Sequence, residues 1–205
     1  MSARPVKTAV CASSRDAASR LLSFGFMERV LPSIASDERL TPSPLFLELH
    51  REFGFTIDIA ASRKNAKCER YFTREDNALS LTWGIENCWL NHPWSQTPAW
   101  VEKAWREALA GTPLIVMLLP DNRTHQPFWQ TLVEPFRETS LHGVQLRARF
   151  LPGRQHYGTP EDPLAKRRRR PKHGAVLLIW RRLANSEVAA PSPARSVQLE
   201  LPVTQ

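Results

Sequence analysis

The sequence predicts an α/β protein with a mainly parallel sheet and helices on both faces. Helix-length apolar stripes alternate with strand-length apolar runs along most of the chain, which is the order that builds such a sheet. The run Pro113 to Leu119 (PLIVMLL) is apolar at every position, as a strand covered on both faces requires. Composition agrees: 205 residues, 42% hydrophobic and 23% charged, suit a globular chain able to fill a core, and exclude a wholly disordered, collagenous or coiled-coil protein.

Residues 1–39 read as an extension, with a weak helical stripe (Ala17, Ala18, Leu21, Leu22, Phe26) between Arg15 and Val30. A domain is expected over 40–184. Its first helix spans about 45–53: Ser43 can cap it, Pro44 suits its first turn, Leu45, Phe46, Leu49 and Phe53 form its apolar stripe, and Gly54 ends it. Phe55 to Ala61 (FTIDIAA) reads as a buried strand holding one acid, Asp58, and Cys88 to Asn91 as a second. Thr97-Pro98 opens a helix with Trp100, Val101, Ala104, Trp105, Ala108 and Leu109 inward, closed by Gly111. After the Pro113 run, Thr124 to Phe136 reads as helical, with Phe128, Trp129, Leu132 and Val133 inward. Val144 to Leu151 and Ala175 to Trp180 are the last strands. The Ala/Pro/Ser-rich tail, 185–205, reads as a disordered end in which 197–201 could dock as a strand.

The formal charge is +8, and between Pro163 and Arg182 eight basic residues occur without an acid, leaving the rest of the chain neutral. Lys166, Arg167, Arg168, Arg169, Arg170 and Lys172 form the dense part. Taken alone, the run suits a phosphate-gripping arm or a solvated loop equally. No apolar run approaches the ~20 residues of a membrane helix. Cys11, Cys68 and Cys88 fit neither a disulfide framework nor a zinc site and read as reduced thiols of a cytoplasmic protein. His125, His142, His156 and His173 lack ligand spacing, so no metal is expected.

In α/β sheets, ligands bind beyond the carboxyl ends of the strands, which points to Asp58–Ser62, Asn91–Ser95 and Pro120–Arg123. Asn91-His92-Pro93-Trp94 leaves the second strand with an amide, a restrained backbone and a large aromatic. That set suits an exocyclic amine on a planar base. The Asn oxygen accepts one N–H, the next carbonyl accepts the other, and the ring offers a stacking face. The lone pair is then directed at an electrophile, and catalysis rests on positioning. His92 reads either as a contact to DNA or cofactor or as a solvent-facing filler. Trp100, Trp105 and Trp129 read as packing residues.

At these residues the chain resembles the phage-type DNA N6-adenine methyltransferases, the Dam-like family of phages and prophages. Thr41-Pro42 before a helix ending REFGF, the block FTIDIAASRKNAKCERYFTREDNALSLTW, Asn91-His92-Pro93-Trp94 where the family has Asn-Pro-Pro-Tyr, Trp100 to Ala104, Leu118-Pro120 with Phe128-Trp129, and Gly153-Arg154 follow the family's order between about Leu40 and Arg182. The resemblance implies a Rossmann-like methyltransferase fold, S-adenosylmethionine as donor and double-stranded DNA as partner. It implies that Asp58 bonds the cofactor's amine, that Ala60 and Ala61 keep the turn small, and that Thr41 and Pro42 close over the same end. Asp76 or Asn77 would contact the cofactor's adenine, and Asn91 and Trp94 would hold the target base. It also implies that Arg154 works near the base or a phosphate and that the basic arm grips the DNA backbone. His92 replaces a proline and Trp94 a tyrosine. The first keeps its carbonyl, and Pro93 still biases it toward extended backbone. Cytosine N4 is the alternative target; a DNA-binding descendant without turnover and an RNA or protein methyltransferase are the other readings.

Overall fold

The computed structural model describes residues 39–159 and 173–184. The helix expected over 15–30, the basic residues Lys166, Arg167, Arg168, Arg169, Arg170 and Lys172, the strand expected at 197–201, and Cys11 lie outside them. Helix α1 (Ser43–Phe53) leads to strands β1 (Ile57–Asp58), β2 (Arg70–Tyr71) and β3 (Asn87–Leu90). Helix α2 (Thr97–Ala110) and strand β4 (Leu114–Pro120) follow, then β5 (Thr139–Leu141), β6 (Val144–Phe150) and β7 (Ala175–Arg182). The strands form one sheet in the order β2-β1-β3-β4-β7-β6-β5.

The alternation of helices and strands is present, but the sheet is mixed rather than mainly parallel. β2, β1, β3 and β4 run parallel, whereas β4, β7, β6 and β5 are joined antiparallel. Parallel neighbours need a crossover; beyond β4 the chain runs to β5 at the far edge and returns through β6 to β7, which meets β4 antiparallel. His142 and Gly143, both at positive φ (49° and 76°), make the two-residue connection between β5 and β6, a turn that requires left-handed backbone at both positions.

Alternation along β4 serves both faces. Leu114, Val116 and Leu118 pack with Phe46, Leu49 and Phe53 of α1, while Ile115, Met117 and Leu119 pack with Trp100, Val101, Ala104, Trp105 and Ala108 of α2. Every residue of β4 is buried, as its unbroken apolar run predicts. Leu109 is only half-buried, and α2 also buries Glu102, Lys103 and Glu107. Gly54 closes α1 at φ 60° as expected; Ser43 is the helix's first residue and makes no cap, and its hydroxyl accepts from Lys67 Nζ at 3.4 Å.

The helix expected over 124–136 is broken. A 3-10 turn at Asp121–Arg123 precedes a π-helical turn at Trp129–Val133 and a 3-10 turn at Glu134–Phe136. Pro135 lacks the N–H that an α-helix would use there, and its ring would meet the carbonyl four residues back. The expected inward residues Phe128, Trp129, Leu132 and Val133 are nonetheless all buried.

Candidate active site

β1 lies between β2 and β3, so the chain leaves β1 toward one neighbour and returns on its other side. That switch in direction opens a crevice beyond the carboxyl ends. A cleft of about 990 Å³ lies there, and Thr41, Asp58, Ala60, Ala61, Asp76, Asn77, Asn91 and Pro93 all line it. Most residues of the two groups attributed to cofactor and amine therefore meet in one cavity, although up to 52 positions separate them in sequence (Thr41 to Pro93).

Asp58 ends β1 and is 3% exposed. Its carboxylate accepts from the Lys67 N–H at 3.0 Å and the Ala60 N–H at 3.4 Å. Burial outweighs these bonds and pushes its pKa from 3.8 up to about 6. Burial, with the Asp58 charge adding to it, drives the half-buried Cys68 thiol up to about 12. Arg63, Lys64, Lys67 and Arg74 give the cleft a basic rim.

Asn91 follows β3 and is held by its amide nitrogen. Nδ2 donates to the Arg39 carbonyl at 2.5 Å and to the Thr41 hydroxyl at 3.0 Å. A carbonyl can only accept, so Arg39 fixes which end of the amide faces it. Both amide hydrogens are thereby spent, and Oδ1 remains as an acceptor on a cleft-lining side chain. Segment 39–41 is itself tied to the loop after β6 by paired backbone bonds between Leu40 and Gly158, 2.9 and 3.1 Å.

Sequence reasoning did not anticipate how the next residues lie. His92 is 1% exposed, so the solvent-facing filler reading is overturned. Its Nε2 meets Thr97 Oγ1 at 2.8 Å, its ring tilts against Trp100 at 6.1 Å, and burial holds its pKa down at about 3. The imidazole is neutral. Trp94 is also buried: Tyr157 and His173 pack edge-on against it at 5.2 and 5.7 Å, and the Arg39 guanidinium lies 5.9 Å from its centroid. Trp94 does not line the cleft, although Arg39, whose guanidinium lies over its ring, does. His92, Pro42, exposed Arg154 and Pro120–Arg123 do not line the cleft either. Trp100, expected only as packing, does both, since it is a core residue and a cleft wall.

The segment after β2 is anchored from below. Asp76 Oδ2 accepts from the Thr73 N–H and hydroxyl, both at 2.7 Å, which shapes the turn and holds its pKa low. Asn77 adopts φ 51°. Behind them, Glu107 of α2 accepts from the Trp83 N–H at 2.8 Å and from Lys103 Nζ at 2.6 Å. Sequence alone gave no site role to Lys67, Glu107 or Thr97, because each makes a bond in which one partner is a backbone group, which pattern reading does not see.

The sequence model of the DNA N-6-adenine-methyltransferase (Dam) family matches residues 30–197. The chain belongs to this family. Among curated relatives, the DNA N-6-adenine-methyltransferase of Escherichia phage T1 is 32% identical over 95 residues, 45% of this chain and 40% of that protein. The DNA N-6-adenine-methyltransferase of Haemophilus phage HP1 is 30% identical over 88 residues, 41% of this chain and 51% of that protein. The chain thus spans about half the length of the curated relatives it matches. The Dam family match runs through every element described above and takes in the cleft residues from Arg39 to Trp100. Among the described residues, no helix is long and apolar enough to cross a membrane, and no cluster of three or more His, Cys, Asp or Glu side chains suits a metal ion.

Proposed function

We propose that this Dam-family chain methylates DNA, transferring a methyl group from S-adenosylmethionine to the N6 amine of adenine in double-stranded DNA. One observation carries the reading: Asn91 presents an oriented carbonyl oxygen in a cleft shared with the buried carboxylate of Asp58. Adenine rather than cytosine is supported by the two phage relatives, each named a DNA N-6-adenine-methyltransferase. The catalytic domain is taken as residues 40–184.

The cleft's donors and acceptors fit the cofactor. Asp58 is a buried carboxylate without a cationic side-chain hydrogen bond, suited to an ammonium group, and Ala60 and Ala61 keep the approach open beside it. Asp76 keeps one carboxylate oxygen beyond its turn bonds for a hydroxyl or amine donor. The cofactor would supply an electrophilic methyl group. The chain's own part is positional. Asn91 Oδ1 accepts one amine hydrogen and the His92 carbonyl accepts the second, aligning the nitrogen lone pair. Trp94 offers a ring to the base once Tyr157 and His173 part from it.

The DNA reading has topological support. β6 ends at Phe150 beside Val176, and β7 starts at Ala175 beside Pro120, so the chain between β6 and β7 leaves and re-enters the sheet at the carboxyl end of β4. The described residues that flank the run from Lys166 to Lys172 lie at that end of the sheet, which supports reading the run as a backbone-gripping arm.

The test is transfer of labelled methyl from S-adenosylmethionine to unmethylated DNA, with the product base identified after hydrolysis. Label in N6-methyladenine is expected, and Asn91→Ala should lower kcat about 100-fold or more, as loss of an oriented polar group at a reacting centre does. Label only in N4-methylcytosine, in RNA or in protein would overturn the substrate assignment. No transfer to any of them would leave a binding protein.

A further inference from the structure

Thr97, the first residue of α2, is buried and makes two contacts with one hydroxyl. Its Oγ1 lies 2.9 Å from the Trp94 carbonyl and 2.8 Å from His92 Nε2. A hydroxyl has one hydrogen, and a carbonyl can only accept, so only one arrangement satisfies both contacts. The hydroxyl donates to Trp94, its lone pair receives Nε2–H, and Nδ1 carries no proton. The reverse tautomer would leave the Trp94 carbonyl unserved and bury Nδ1–H, which has no partner. An orphaned buried donor is rarer than an under-used acceptor. The tautomer thus follows from the geometry, and the neutral state from the ring's burial.

We propose that Thr97 is a positioning residue whose hydroxyl clasps His92 in its Nε2–H form and so fixes the backbone of the Asn91–Trp94 loop. The clasp spans the loop. It ties the His92 side chain and the Trp94 carbonyl to the first turn of α2, which the core holds through Trp100, Val101, Ala104 and Trp105. Pro93 lies between the two tied residues, and Pro98 stiffens the turn beyond them. With both ends held, the His92 carbonyl has one direction. The inference rests on the reading of that carbonyl as the second amine acceptor, and it adds the residue that aims it.

Two measurements separate the clasp from that reading. Long-range proton–nitrogen spectra of the nitrogen-15-labelled full chain report the tautomer of each histidine whether or not the protein is active. His92, assigned by comparison with His92→Gln, is expected as neutral Nε2–H, and in Thr97→Val that signature should become a mixture of both tautomers. An Nδ1–H form in the unaltered protein, or spectra unmoved by Thr97→Val, overturns the clasp. In methyl transfer, Thr97→Val should lower kcat about five- to tenfold, with KM for S-adenosylmethionine unchanged, and Thr97→Ser should recover most of the rate. Equal kcat for Thr97→Val and the unaltered chain removes the positioning role. An inactive unaltered protein defeats the proposed function, while the spectra still decide the clasp.

Discussion

On one side of the sheet, β4, β6 and β7 run seven, seven and eight residues; on the other, β1 and β2 run two each and β3 four. The long antiparallel side is held by its own ladder. The short parallel side is held by side chains that reach backbone groups: Asn87 Nδ2 to the Phe53 and Gly54 carbonyls at 3.1 Å each, Asp58 to the Lys67 N–H, and Glu107 to the Trp83 N–H. The cleft residues from Asp58 to Trp100 belong to this second side, and only segment 39–41, bonded to the loop after β6, comes to the cleft from elsewhere. A strand that ends early releases backbone and side-chain groups into the crevice, and polar side chains take over the bonding that the ladder gives up. Stability and site geometry are therefore coupled on the parallel side and separable on the antiparallel side.

The strongest way to break this contrast is Glu107→Ala. It removes the acceptor from Trp83 and strands Lys103 as a buried cation, which costs about 3–5 kcal/mol for a broken buried pair. Because Glu107 pins the segment that carries Asp76 and Asn77, KM for S-adenosylmethionine should rise as well. Denaturant melts and steady-state kinetics on the same variant read both effects. Loss of stability with an unchanged KM would show that the anchor and the cleft are independent. Glu107→Gln, which keeps an acceptor for Trp83, should restore part of each.

The matching change on the antiparallel side is Leu178→Ala. Leu178 is fully buried in the middle of β7, and truncation there should cost about 3 kcal/mol through lost burial and a residual cavity. Here KM should stay at its original value, as the ladder between β4 and β7 holds the backbone independently of that side chain. A KM that rises as far as in Glu107→Ala would merge the two halves into one mechanical unit.

The same contrast explains what the sequence discloses. β4, β6 and β7 are legible because burial writes itself into residue type, whether as an unbroken apolar run or as a stripe. β2 is not, since Arg70–Tyr71 carries no apolar pattern and pairs through backbone alone. The helix over 124–136 fails because Pro135 acts locally against an otherwise helical stripe. In the site, Asp58 and Asn91 stand out by their place at strand ends, and the cleft brings them together. The burial of His92 and Trp94 could not be foreseen, because Tyr157 and His173, which help to cover the loop, lie more than 60 positions away. Parallel against antiparallel pairing is likewise decided by connections, where the hairpin at His142-Gly143 is a weaker mark than an Asn-Gly turn.

Asp58 provides the smallest and sharpest test, because it sets stability against binding at one atom. Burial raises its pKa from 3.8 to about 6, so the folded chain holds the proton more tightly than the unfolded chain. Stability should be greatest, as far as this group is concerned, below about pH 4, fall between pH 4 and 6, and then level off. The full displacement corresponds to about 3 kcal/mol. Asp58→Asn carries no such penalty, but it leaves only one oxygen for the Lys67 and Ala60 N–H groups, which returns about 1 kcal/mol. The variant should therefore be about 2 kcal/mol more stable than the original at pH 7.5 and no more stable at pH 4, in melts without cofactor. Cofactor affinity should move the other way. If the ionised carboxylate receives the amine of S-adenosylmethionine, affinity in the original protein falls as pH drops through about 6, and in Asp58→Asn it is weak and flat with pH. A variant that gains stability at pH 7.5 while keeping full affinity would separate the buried charge from the ligand and leave the cleft's carboxylate without its proposed task.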